Sequence, residues 1–143
     1  MCVHRELLLP LTGTQPLDEI RLVSRPSIRR FLEVLRRDLP SMSEDLLIHR
    51  LRPHLVVDGQ SLKAFEEDSW DFLQIGNVRF RRNGYYASEA IAVSLNGTSD
   101  PELLIALRRL RHGQMTFGIR LKVLETSDSF SSFLRIGDVV KSI

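Results

Sequence analysis

Both tyrosines of the 143-residue chain stand side by side in RFRRNGYYASEA, residues 79–90, directly after three arginines in four positions. A guanidinium is a planar fork of N–H donors that pairs with phosphates and carboxylates two bonds at a time. A phenol adds a ring for stacking and one hydroxyl, with a pKa of about 10. Arg79, Arg81 and Arg82 with Tyr85 and Tyr86 therefore suit one of two tasks. They can form a basic face with aromatic platforms for nucleic acid, or the rim of a pocket for some other anion.

Other reactive types are sparse. Cys2 is the only cysteine, so no internal disulfide and no cysteine-based metal site can form. His4, His49, His54 and His112 lack ligand spacing, which argues against zinc. In EEDSW, residues 66–70, the carboxylates read as a solvated, capping first turn and Trp70 as a barrel plug. Asp68 and Trp70 are thus assigned no chemistry.

The bulk composition narrows the class. Hydrophobic residues make up 43% and charged residues 27%, which is globular rather than disordered. Net charge is +2, and 17 of the 20 basic residues are arginine, a bias towards an anionic partner. So small a net charge, with no nucleic-acid motif, argues against nucleic acid. No apolar run approaches the ~20 residues that span a bilayer, and no secretory cleavage pattern follows the start. The cytoplasm is the expected compartment.

The elements that must position these residues follow from periodicity. Ile28, Phe31, Leu32, Leu35 and Leu39 lie on one helical stripe, with Ser24 or Ser27 as cap and Pro26 in the first turn. A second helix is read from Asp100 as N-cap and Pro101 through LLIALRRLRH to Gly113, with Arg108, Arg109 and Arg111 on its solvated face. Strands are expected at IRLV, LLIHRL, HLVVDG, IGNVRFR, AIAVSL and FGIRLKVL, with a turn at Asn96 and Gly97. Period two along NVRFRR puts Phe80 into the core, with Arg82 at the strand's open end. FLQIGNV at 72–78 returns as FLRIGDV at 133–139, two similar corners of one small barrel. The fold class is a mixed, strand-rich α+β barrel with flanking helices.

Five stretches occur in the order of a known family: IRLVSRPSI, RLRPHLVVDG, AFEEDSWDFLQIG, PELLIALRRLRHGQMTFGI and FLRIGDVV. Across residues 20–140 the chain resembles the MOSC domain, which forms the C-terminal part of molybdenum cofactor sulfurases and also occurs in the mitochondrial amidoxime reducing component. The resemblance implies a MOSC-type β-barrel over residues 20–143, preceded by an extension over 1–19. It implies a domain that binds the molybdenum cofactor, a molybdenum-bearing molybdopterin.

The family's reactive loop carries two cysteines, and alignment on Gly84 puts Tyr86 at the first, Ser88 at an arginine and Glu89 at the second. A hard phenol oxygen neither forms a persulfide nor replaces a soft thiolate on molybdenum. The resemblance therefore implies a sulfurtransferase-like domain of impaired catalysis, with no catalytic residue. Its cofactor-binding candidates are Arg52, His54, Ser24, Ser27, Tyr86 and Ser88. Pyridoxal phosphate belongs to a desulfurase domain that this chain has no room for, so a separate chain would supply sulfur. The competing expectation is a non-enzymatic module that binds nucleic acid or protein through the basic, tyrosine-bearing strand.

Overall fold

Strands covered by helices are buried on both faces, as IRLVS and LVVD are, while those left uncovered alternate buried and exposed side chains, as FLQI does. The computed structural model describes residues 1–6, 20–87, 101–113, 115–126 and 134–143. Its strands are β1 (Cys2–Glu6), β2 (Ile20–Ser24), β3 (Leu55–Asp58), β4 (Phe72–Ile75), β5 (Val78–Ala87), β6 (Thr116–Thr126) and β7 (Val140–Ser142). The helices are α1 (Arg25–Leu35), α2 (Glu44–Leu51) and α3 (Pro101–Leu110), with a 3₁₀ turn at Glu66–Ser69. The sheet order is β1-β3-β2-β6-β5-β4-β7. Among the described strands only β2 and β3 pair in parallel, because α1 and α2 carry the chain across between them.

The two ends of the sheet meet. Cys2 bridges Val139, Val3 N–H donates to the Asp138 carbonyl at 2.9 Å, and Val140 N–H donates to that of Met1 at 2.9 Å. The result is a nearly closed, barrel-like sheet, the strand-rich α+β architecture expected from the pattern. The repeated FLQIGNV and FLRIGDV corners lie against each other where the barrel closes. Ile75 pairs with Val140, and Gly76 N–H donates to the Val139 carbonyl at 3.1 Å. Gly76 and Gly137 both have positive φ.

Two cores follow from this arrangement. Inside the barrel, Leu22, Leu55, Leu73, Phe80, Ile119 and Leu121 pack together around Trp70. Outside it, Val23, Val56 and Phe117 meet the apolar faces of the three helices. Phe31 and Phe65 each approach the Phe117 ring edge to face, at 5.0 and 5.9 Å. Phe80 is fully buried in the barrel, as period two requires.

One expected element differs in type. LLIHRL, read as a strand, lies within α2. Ser43 caps that helix by accepting from Leu46 N–H at 3.1 Å, Glu44 and Asp45 fill its first turn, and it buries Leu47, Ile48 and Leu51. A short apolar run fits either period, and the cap just before it decides. α1 is capped by Ser24 and stops at Leu35, short of the stripe's last member, Leu39, which stays half-buried against the helical core. α3 matches the expected helix and is followed by His112 and Gly113 at positive φ. AIAVSL, the Asn96 and Gly97 turn and the Asp100 cap lie outside the described residues. No helix among the described residues is long and apolar enough to cross a membrane.

Gly118 shows how tightly the layers meet. A Cβ there would lie 2.6 Å from Val23 Cγ1 and 2.8 Å from the Leu22 carbonyl oxygen, whereas one at Gly137 would meet nothing within 4 Å. Both have positive φ. Gly137→Ala is expected to cost about 1–2 kcal/mol from backbone strain alone. Gly118→Ala should cost about 3 kcal/mol or more, because overpacking adds to the strain. Urea unfolding of the two variants checks this; equal midpoints would contradict the packing described.

Candidate functional site

The 3₁₀ turn at Glu66–Ser69 organises the region around β5. The Asp68 carbonyl accepts from Arg82 Nη1 and from the Tyr85 hydroxyl, the latter at 3.1 Å, and the Asp68 carboxylate pairs with Arg111. Arg82 also pairs with Asp71 at 2.8 Å and lies over the Tyr85 ring at 5.0 Å. Arg111, expected on a solvated face, is only 8% exposed and stacks on Phe65 at 4.2 Å. It lies just past the end of α3, where the chain turns in towards the 3₁₀ turn. Arg108 and Arg109 do remain exposed, with Arg109 3.5 Å from Asp38.

A bulge explains how Tyr85 reaches this turn. Arg82 pairs with Leu121 and Tyr85 with Ile119, so three steps on β5 span two on β6 and Asn83 with Gly84 supply the extra residue. Strict alternation from Phe80 would have put Tyr86 on the inner side; the bulge brings in Tyr85, which packs on the barrel core. The Tyr86 backbone belongs to β5, while its side chain, Ser88 and Glu89 lie outside the described residues. The stretch that opened the sequence therefore divides. Arg82 and Tyr85 grip the 3₁₀ turn, and Arg79 and Arg81 stay exposed.

Ser24 and Ser27 lead inward. Both are fully buried; Ser24 Oγ accepts from Ser27 N–H at 3.2 Å and lies 2.7 Å from Ser27 Oγ. Ser27 Oγ accepts from Phe65 N–H at 2.7 Å and donates to Glu67 Oε1 at 2.6 Å. Their hydroxyls are thus spent inside the protein. Glu67 is 0% exposed, and its Oε2 has no hydrogen-bond partner among the described residues. Burial pushes its pKa above the ordinary value of 4.5, against the opposing pull of the two serines. Nothing in EEDSW, which reads as a solvated acidic turn, signals this buried carboxyl.

Arg52 ends α2 in a left-handed conformation and is half-buried. Two residues on, His54 locks to β2: its N–H donates to the Arg21 carbonyl, and its Nδ1 accepts from Arg21 N–H, both at 2.9 Å. Accepting at Nδ1 leaves the proton of a neutral imidazole on Nε2. Burial and the nearby Arg21 charge lower its pKa, in keeping with that form.

Arg21 stands directly opposite Arg120 across β2 and β6. The neighbours of both arginines, Ile20, Leu22, Ile119 and Leu121, point into the barrel, so the arginines occupy its outer side. A Cβ on Gly84 would lie 2.8 Å from Arg120 Nη2, so the guanidinium rests against β5 two residues before Tyr86, in space that a side chain at this positive-φ position would take. Arg21, Arg120 and His54 are brought together, with Arg52 adjacent in the chain, while Ser24 and Ser27 belong to the buried link. Arg21 and Arg120 were missed in the sequence. Their signal was the tripeptide IRL, which occurs at 20–22 and again at 119–121.

The chemistry on offer is anion binding by charge-assisted N–H donors. No cluster of three or more histidine, cysteine, aspartate or glutamate residues able to hold a metal occurs among the described residues. Two clefts lined by described residues lie beside Gly59, Gln60 and Leu62, and neither is lined by Arg52 or His54.

Comparison with known proteins gives a consistent result. The family model described as MOSC domain matches residues 18–141. The chain is 33% identical over 135 residues to a molybdenum cofactor sulfurase of Drosophila persimilis, a match covering 90% of this chain and 16% of that protein. It is 31% identical over 127 residues to a molybdenum cofactor sulfurase of Danio rerio, covering 83% and 15%. With molybdenum cofactor sulfurase 2 of Culex quinquefasciatus it shares 34% over 116 residues, covering 75% and 15%. The chain spans about a sixth of the length of the curated relatives it matches.

Glu67 makes stability depend on pH in a defined sense. A carboxyl whose folded pKa is raised lends stability that is complete below its unfolded value of 4.5 and is lost as pH rises through the folded value. Glu67→Gln keeps the shape and removes the titration. Denaturant unfolding from pH 4 upward should show the wild type losing more stability than the variant; parallel curves would contradict the assignment.

Proposed function

The chain belongs to the MOSC domain family, and from that premise we propose that it is a molybdenum cofactor sulfurase-type domain that binds a molybdopterin-type anion through guanidinium groups, without thiol chemistry. One observation carries the reading: Arg21 and Arg120 are directly opposed in register, beside His54, with Gly84 open to Arg120. Like charges opposed across a sheet suit an anion shared between them.

The donor set fits the anionic end of such a cofactor and not its metal. Arg21, Arg120 and Arg52 supply charge and N–H donors, and His54 Nε2–H supplies a neutral one. Arg120 orients from β6, and Gly84 gives it room to do so. Ser24 and Ser27 act at a remove by fixing the start of α1, since both hydroxyls are buried with Glu67. Tyr86 and Ser88, by resemblance, complete the site from the end of β5, with Tyr86 as a hydrogen-bond donor in place of a thiolate. When bound, the cofactor brings molybdenum and its sulfur chemistry. This chain's residues would bind it and orient it, with the Tyr86 hydroxyl where the resemblance puts a thiol.

Protein purified from a host that makes the cofactor should carry pterin. Arg120→Ala and Arg52→Ala should each weaken binding by about tenfold to a hundredfold, the loss of a charge-assisted hydrogen bond. Elemental analysis for molybdenum and pterin fluorescence check this. Background values in the wild type, unchanged by either variant, would sink the proposal. Tyr86→Cys should raise molybdenum retained per pterin; no change would show that the phenol does not occupy the sulfur position.

A further inference from the structure

The outer face of β7, β4, β5 and β6 carries a second feature, which adjoins the anion site at Arg120 on β6. The helices pack on the other side of the barrel, against β2 and β3. Register sets out the uncovered face in two rows. In one, Ile143 N–H donates to the Phe72 carbonyl, Phe72 pairs with Arg81, and Arg81 pairs with Lys122. In the other, Lys141 pairs with Gln74 and Gln74 with Arg79, which pairs with Glu125. Leu124 is set between the rows by a bulge.

The composition of this face is unusual in two respects. Arg79, Arg81, Lys122 and Lys141 are all exposed, and no ion pair joins any of them to a described residue. Among the described residues the nearby acids are Asp71, which pairs with Arg82, and Glu125, whose backbone belongs to β6. Beside these cations, large apolar side chains stand in water: Phe72 is 44% exposed, Leu124 52% and Ile143 68%. Arg81 and Lys122 are like charges directly opposed, which costs stability in the isolated domain. Negative charge laid across them offsets that cost, and apolar groups between the negative charges would cover Phe72, Leu124 and Ile143.

We infer that this face docks an acidic protein segment in which aspartates or glutamates alternate with large apolar residues. Charge complementarity selects an anionic occupant, and the aliphatic side chains select a protein over nucleic acid. Single-stranded nucleic acid needs aromatic platforms for its bases, and Phe72 is the one aromatic on this face among the described residues. Tyr85 of the basic strand is turned to Asp68.

The test is an NMR titration of the isotopically labelled chain with three probes: a twelve-residue peptide alternating Glu and Leu, the same peptide with Lys for Glu, and a twelve-nucleotide oligouridylate. The acidic peptide should shift the amides of Phe72, Gln74, Arg79, Arg81 and Lys122, and the basic peptide should not. Arg81→Glu with Lys122→Glu should weaken binding at least about tenfold, because each reversal sets repulsion where attraction stood. Phe72→Ser, which leaves the charges in place, should weaken it several-fold. Overlay of the remaining spectrum shows that each variant is folded. No shift on this face, equal affinity for both peptides, or tighter binding of the oligouridylate would each overturn the inference. Arg52→Ala, aimed at the anion site from the end of α2, should leave peptide binding unchanged, so the two sites fail separately.

Discussion

A single 3₁₀ turn ties the barrel to its helices, and the tie is electrostatic. Asp68 receives Arg82 and Tyr85 from β5 on its carbonyl and Arg111, from beyond α3, on its carboxylate. Its neighbour Glu67 reaches the other way, to Ser27 in the first turn of α1. One turn of backbone therefore meets β5, α1 and the end of α3 together. Arg111 is almost excluded from water, and the Asp68 carboxylate facing it balances its charge. Stranding such a charge costs several kcal/mol, roughly 3–5 where measured, against the 1 kcal/mol or less of an exposed pair such as Arg30 with Glu33. Geometry at the end of β5 is inherited from this turn.

Much of the fold was legible because it is written in local periods. IGNVRFR alternates, HLVVDG is a short apolar run rich in valine, both became strands as FGIRLKVL did, and Ser24 and Pro101 marked helix starts that the structure contains. Where a segment fits two periods the pattern fails, as LLIHRL does until the Ser43 cap is considered. The fate of charged residues was hidden for a different reason. Ser27 and Glu67 are 40 positions apart, and Asp68 and Arg111 are 43 apart, so no local pattern could say that these groups leave solvent. The site was partly legible. Arg52 and His54 came from family likeness, whereas Arg21 and Arg120 needed the register of β2 against β6. Two arginines 99 positions apart become neighbours only when the sheet forms.

In the proposed reading, binding and chemistry draw on different residues. Arg21 and Arg120 are placed by strand register, a property of the backbone rather than of the side chain at position 86. Thiol chemistry depends on one sulfur atom. On that reading, an anion site set by register therefore persists where the resemblance puts Tyr86 and Glu89 at cysteine positions.

The extra residue at Asn83 and Gly84 has a consequence for comparing sequences. Within residues 82–85 a gap of one position is a half-rotation of everything beyond it, because inward and outward side chains exchange places along a strand. Two homologues that differ by one residue there would match letter for letter downstream while presenting opposite faces to the lumen. Alignments across this segment should be anchored on cross-strand partners, Leu121 and Ile119, rather than on identity.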